Sequence, residues 1–208
     1  MRLDILSTVL ILSVLHGAIP SHWLPVMSLK KQHHWNVSYT FKIVSVLSIA
    51  HILSTIIIGI LVAIAGRMLS TFFFNENTVR WLSSLSLFIL GGYFIYKHYY
   101  HHHFHLFHED DVMKQKEIHK QIRLLIAGMF FSPCLEITGM YWVGGILKWQ
   151  YVVSISAIYF FVSFLSSVFW VIFFDGLSKK LNFHQIEHYG GLLSGVSLIV
   201  SAVLIFIV

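Results

Sequence analysis

The sequence predicts an all-α polytopic membrane protein, six transmembrane helices folded as a 3+3 inverted repeat. Three observations carry this reading. Only 11% of the 208 residues are charged and 57% are hydrophobic, against about 25% charged in an ordinary soluble domain. Six apolar runs each reach about 20 residues, enough to cross a hydrocarbon core of about 30 Å. The first run of each half also carries a proline, Pro20 and Pro133, and proline removes a backbone donor and breaks a helical ladder. Mean hydropathy is +0.76, and residues 1–208 read as one transmembrane domain.

The first run, residues 3–24, begins M-R-L-D-I-L-S-T and imitates a secretory signal. No A-x-A-like cleavage site follows and Asp4 is foreign to such a signal, so the run is expected to be a retained helix. The second covers residues 41–65 and the third residues 81–99. The fourth, residues 122–147, contains S-P-C-L-E-I-T. The fifth and sixth cover residues 151–174 and 189–208. In the sixth, Gly191 and Gly195 make the G-x-x-x-G pattern of close helix packing. Three runs per half require the second half to enter the membrane from the other side, as an inverted repeat does.

Basic residues set the expected orientation. Lys30, Lys31, Lys42, Lys97, Lys114, Lys116, Lys120, Arg123, Lys179 and Lys180 follow the odd-numbered runs, whereas Arg2, Arg67, Arg80 and Lys148 lie on the other side. Positive residues favour the cytoplasm. Both termini are therefore expected outside an inner or plasma membrane. The net charge of +5 is spread over these short loops, so it serves topology and does not indicate nucleic acid as a partner. A single cysteine, Cys134, excludes an intrachain disulfide and a two-cysteine relay.

The chemistry lies in ionisable groups set within apolar runs, where they face a bundle interior, a cavity or an ion path. His16 and His22 bracket Gly17 and Pro20 in L-H-G-A-I-P-S-H-W. Six residues apart on an unbroken helix, they would face nearly opposite ways. They converge only if the chain unwinds, which Gly17 and Pro20 allow, and unwinding would free carbonyls as further ligands. The alternative is one packed histidine and one interfacial histidine beside an aromatic-belt Trp23. His51 follows Lys42 by nine residues, about 13 Å along a helix. His16 and the Pro133–Cys134 pair fall at similar depths, so residues from three helices are expected in one layer around a polar cavity open to the cytoplasm.

Imidazole suits zinc, copper, iron and nickel. Glu136 is a carboxyl group near mid-membrane, readable as a cation-coupling or proton-relay residue or as a neutral hydrogen-bonding group. Cys134 is readable as a soft ligand or as a small apolar residue. Ser54 and Thr55, beside His51, are readable as satisfying backbone carbonyls. Residues 98–121 read as a cytoplasmic loop holding His98, His101, His102, His103, His105 and His108, then Glu109, Asp110 and Asp111. Such a tract suggests metal capture without fixed geometry, or else a solvated loop of biased composition.

These residues resemble, in order, the motifs of the NicO family of nickel and cobalt transporters, in particular its RcnA-type exporters. H-G-A-I-P-S-H resembles the family's first-helix motif, and I-A-H-I-L-S-T resembles its second. The histidine-rich loop and S-P-C-L-E-I-T match the segments that follow. The family's acidic residue inside the first motif is replaced here, where Ile19 and Ser21 stand.

The resemblance implies a secondary exporter of a divalent transition-metal ion, nickel or cobalt, driven by an ion gradient and not an enzyme. His16, His22, His51, Cys134 and Glu136 would hold the ion. Membrane lipid and the metal ion would be the partners, with no resident cofactor and with homo-oligomer formation left open. Two other readings stand beside it. One is a permease for a non-metal substrate on the same scaffold. The other is a membrane di-iron enzyme, because H-Y-Y-H-H at His98, His101 and His102 and H-Q-I-E-H at His184 and His188 resemble desaturase boxes.

Overall fold

The structure, a computed structural model, describes residues 3–72, 76–100, 115–177 and 183–207. Every regular element among them is an α-helix: α1 (Leu3–Ala18), α2 (Pro20–His33), α3 (Val37–Phe72), α4 (Glu76–Tyr100), α5 (Gln115–Phe130), α6 (Leu135–Leu147), α7 (Trp149–Leu177) and α8 (Phe183–Ile207). Four spans are long and apolar enough to cross a membrane: Ile5–Lys31, Val37–Met68, Ile118–Leu147 and Trp149–Gly176. Ser194–Ile207 is a shorter apolar segment. The chain thus has the character of a multi-pass membrane protein.

The helices run past the apolar segments that predict them. α3 has 36 residues, about 54 Å at 1.5 Å per residue, well beyond the hydrocarbon thickness. Its start is fixed by a polar cap, in which the Tyr39 N–H donates to Asn36 Oδ1 at 2.8 Å. Hydrophobic content locates a span; capping chemistry decides where the helix ends. The stretch read as a loop over 98–121 is likewise helical at both ends, in α4 and α5. Residues 101–114 lie outside the described part, and with them His101, His102, His103, His105 and His108.

Two spans are broken. Between α1 and α2, Ile19 is extended (φ −66°, ψ 123°) and Pro20 stands in the first turn of α2, where its missing N–H forfeits nothing. Between α5 and α6, Cys134 is extended (φ −79°, ψ 121°) just after Pro133. Both prolines end one helix and start the next instead of kinking a continuous one.

α3 packs against α6 and α7, α1 against α7, and α4 along α8. Glycines permit the closest approaches. A Cβ at Gly145 of α6 would strike the Ala63 carbonyl of α3, and one at Gly17 would strike Ser166 of α7. Gly91 and Gly195 bring α4 and α8 into backbone contact, so Gly195 of the G-x-x-x-G pattern does pack a helix pair. One core cluster centres on Ile5, Ile52, Met140, Tyr141, Ile155 and Tyr159. A second joins Trp23, Met27, Val44, Leu47 and Val171. Outward faces carry large apolar side chains such as Ile89, Val153, Phe161 and Phe169, as lipid contact requires.

Candidate metal centre

The two breaks meet beside α3 and gather the singled-out residues. His16 lies in the last turn of α1, His22 in the first turn of α2, and His51 projects from the middle of α3. Their ring centroids are 4.3 Å apart for His16–His22, 4.6 Å for His22–His51 and 5.2 Å for His16–His51. One ligand nitrogen from each lies within 4.8 Å of the others. Two nitrogens sharing a tetrahedral ion at 2.0–2.1 Å stand roughly 3.4 Å apart, so an adjustment of about 1 Å closes the set on a cation.

The break is what makes this convergence. With Ile19 extended, the Ile19 N–H donates to the His16 carbonyl and the His22 N–H to the Ile19 carbonyl, both at 3.2 Å. The chain turns between the two histidines, and their rings come to one side. The expected free carbonyls are engaged instead: besides these two, the Ala18 carbonyl accepts from Trp23 Nε1 at 3.4 Å. Trp23 is no belt residue. It is 1% exposed and stacks on Phe174 at 4.2 Å. Beyond that stack, Lys30 and Asp175 form an ion pair between α2 and α7. The cavity at the histidines is small, about 10 Å³, lined by His16, His22, Ser48, His51, Met129 and Ser167. That is room for a single water or ion.

Local contacts assign the ring tautomers. His51 Nδ1 lies 3.1 Å from the Met129 carbonyl. A carbonyl only accepts, so Nδ1 carries the proton and Nε2 keeps its lone pair. That Nε2 is buried with no hydrogen-bond partner, and so is His22 Nδ1. Native interiors seldom leave such atoms unsatisfied, and two facing one cluster of three histidines form a donor set fit for a cation. The backbone contact to His51 is the ring-orienting kind that supports metal ligands.

The α5–α6 break supplies the other side. The Cys134 N–H donates to Thr55 Oγ1 at 3.0 Å, and Thr55 donates in turn to the His51 carbonyl at 3.0 Å. Ser54 donates to the Phe130 carbonyl. Ser54 and Thr55 therefore do more than satisfy their own helix: they tie α3 to the break. Cys134 Sγ reaches His16 Nδ1 at 3.1 Å and Glu136 Oε2 at 3.6 Å. Glu136 Oε2 is 3.6 Å from His16 Nδ1 and only 5% exposed as a residue. His16, Cys134 and Glu136 form a second group of converging ligand atoms.

Tyr159 is the residue that sequence reasoning missed. Its hydroxyl lies 3.2 Å from His16 Nε2. Set in I-Y-F-F on an aromatic-rich helix, it carries no signal that separates it from core packing. His98 stands apart from the cluster, in the last turn of α4. In comparisons with protein-family models, curated proteins and solved structures, the chain matches none.

Proposed function

We propose that the chain is a secondary transporter of divalent transition-metal cations, nickel- or cobalt-like as the NicO resemblance implies, and an exporter coupled to an ion gradient. The observation that carries the proposal is the pair of buried, unpartnered imidazole nitrogens, His22 Nδ1 and His51 Nε2, on rings whose centroids are 4.6 Å apart beside a helix break. In this reading there are six spans in a 3+3 inverted repeat. α1–α2, α3 and α4 answer to α5–α6, α7 and α8, with both termini outside. Support comes from the matched placement of the breaks and from the self-paired contact of α4 with α8. Broken helices at a repeat interface are where such transporters hold their substrate.

The test is flux in proteoliposomes with nickel, cobalt, zinc, copper, iron and manganese, each against protein-free vesicles. At least one ion should move, and His22→Ala and His51→Ala should each lower its rate by about 10-fold or more, the scale on which metal sites respond to lost support. A folded protein that moves none of the six ions would defeat the proposal. If residues 98–121 only collect ions, deleting residues 100–108 should weaken apparent affinity several-fold and leave the maximal rate nearly intact, as flux against concentration would reveal.

One observation favours the di-iron reading as the second choice. α4 and α8 run antiparallel, with Trp81 on Phe206, Ser84 bonded to the Ala202 carbonyl and Gly91 on Gly195. That register sets position 98 level with position 188. Stoichiometric iron retained through purification would favour it over transport.

A further inference from the structure

We propose that the groove between α2, α3 and α7 binds an anionic glycerophospholipid, which enters from the bilayer and sets its phosphate on Lys30. The groove has a volume of about 410 Å³, within the range of about 300–1,000 Å³ typical of small-molecule sites. It shares no lining residue with the small cavity at the histidines, and the inference does not depend on metal transport.

The groove changes character along its length. α3 starts at Val37 and α7 ends at Leu177, so the two walls run in opposite directions. One end is lined by Val44, Val168 and Val171, the other by Lys30, Ser38 and Asp175. Ser38 and Val44 are separated by about 9 Å of helix. Phe41 and Ile172, also in the lining, are exposed. In a multi-pass membrane protein such outward apolar faces meet lipid, so the groove is reached from the bilayer. An acyl chain suits its apolar end, where a soluble anion has nothing to place.

The polar end is cationic. Among the lining residues and their immediate neighbours in sequence, Lys30, Lys31 and Lys42 stand against one acidic group, Asp175. Basic pockets between membrane helices take phospholipid headgroups. The Lys30 ammonium carries three donors, and the pair with Asp175 Oδ1 uses one. A phosphate oxygen takes another, with the exposed Ser38 hydroxyl beside it as a further donor. Asp175 holds the lysine at the groove and competes with the phosphate for it.

The experiment is native mass spectrometry of the purified full-length chain, titrated with dioleoyl-phosphatidylglycerol and with dioleoyl-phosphatidylcholine. The two lipids share acyl chains and differ in headgroup charge. Wild type should bind the first phosphatidylglycerol at least about five-fold more tightly than phosphatidylcholine, the weight of one basic residue at an anionic headgroup. Lys30→Gln should lower that preference by about the same factor. Asp175→Asn removes the competitor and should raise it, the opposite of what loss of a merely structural ion pair gives. Ser38→Asp should lower it by placing a like charge at the polar end. Ser38 is exposed and an acidic side chain suits the first turn of a helix, so this variant folds even where Lys30→Gln does not.

Equal binding of the two lipids by wild type would overturn the proposal. So would a preference for phosphatidylglycerol that Ser38→Asp and Asp175→Asn leave unmoved, because the lipid would then sit elsewhere. A preference lowered in Asp175→Asn would reduce the Lys30–Asp175 pair to a structural role and overturn the competition.

Discussion

His16→Asn should lower cation flux by about 100-fold or more, the upper range for disturbed metal sites, while membrane insertion and melting temperature change little. The asparagine amide can stand near the place of the ring nitrogen and keep one polar contact. It cannot supply two opposed nitrogens. His16 is 3% exposed, and its ring touches His22, His51 and Tyr159. It also meets Cys134 and Glu136. No other residue belongs to both ligand groups, so its loss strands each half of the site. Flux measured alongside melting in detergent separates the two effects. Unimpaired flux in the Asn variant would remove this cluster from the cation path.

Gly145→Ala should destabilise the protein by about 1–3 kcal/mol, the usual penalty for overpacking, with the melting temperature falling accordingly. The added Cβ would strike the backbone of Ala63, not the movable tip of a side chain. α3 and α6 must then separate. That separation also pulls His51 and Thr55 away from Cys134, so activity should fall with stability. Gly92→Ala is the control: nothing lies within 4 Å of its Cβ position, and alanine is the better helix former by up to about 1 kcal/mol. Equal melting temperatures for the two variants would show that the α3–α6 contact is not as close as described.

Much of the architecture is legible in the chain because burial in a bilayer is a one-dimensional property. Apolar runs of sufficient length locate the spans at 3–24, 41–65, 122–147 and 151–174 without knowledge of any neighbour. The breaks are legible for a similarly local reason. Proline lacks a donor whatever surrounds it, and both Pro20 and Pro133 sit at a helix junction. Helix ends are less legible, since they depend on caps such as Asn36 and on left-handed His34 (φ 51°). Hydropathy does not register either.

What the sequence by itself determined is which residues are out of place in an apolar helix: His16, His22, His51, Cys134 and Glu136. Depth counting could put three of them in one layer, because rise per residue is fixed. It could not fix rotation about each helix axis, which is set by the side chains and glycines of the neighbouring helices. Only the tertiary structure decided that His16 faces both the other histidines and Cys134–Glu136. It likewise decided that Tyr159 joins them, and that Trp23 stacks on Phe174 while Lys30 pairs with Asp175 between α2 and α7. Each of these depends on atoms brought together from positions up to 151 residues apart in sequence, as in the Trp23–Phe174 stack between α2 and α7. Such contacts leave no local pattern, because the interaction energy belongs to the pair and not to either residue alone.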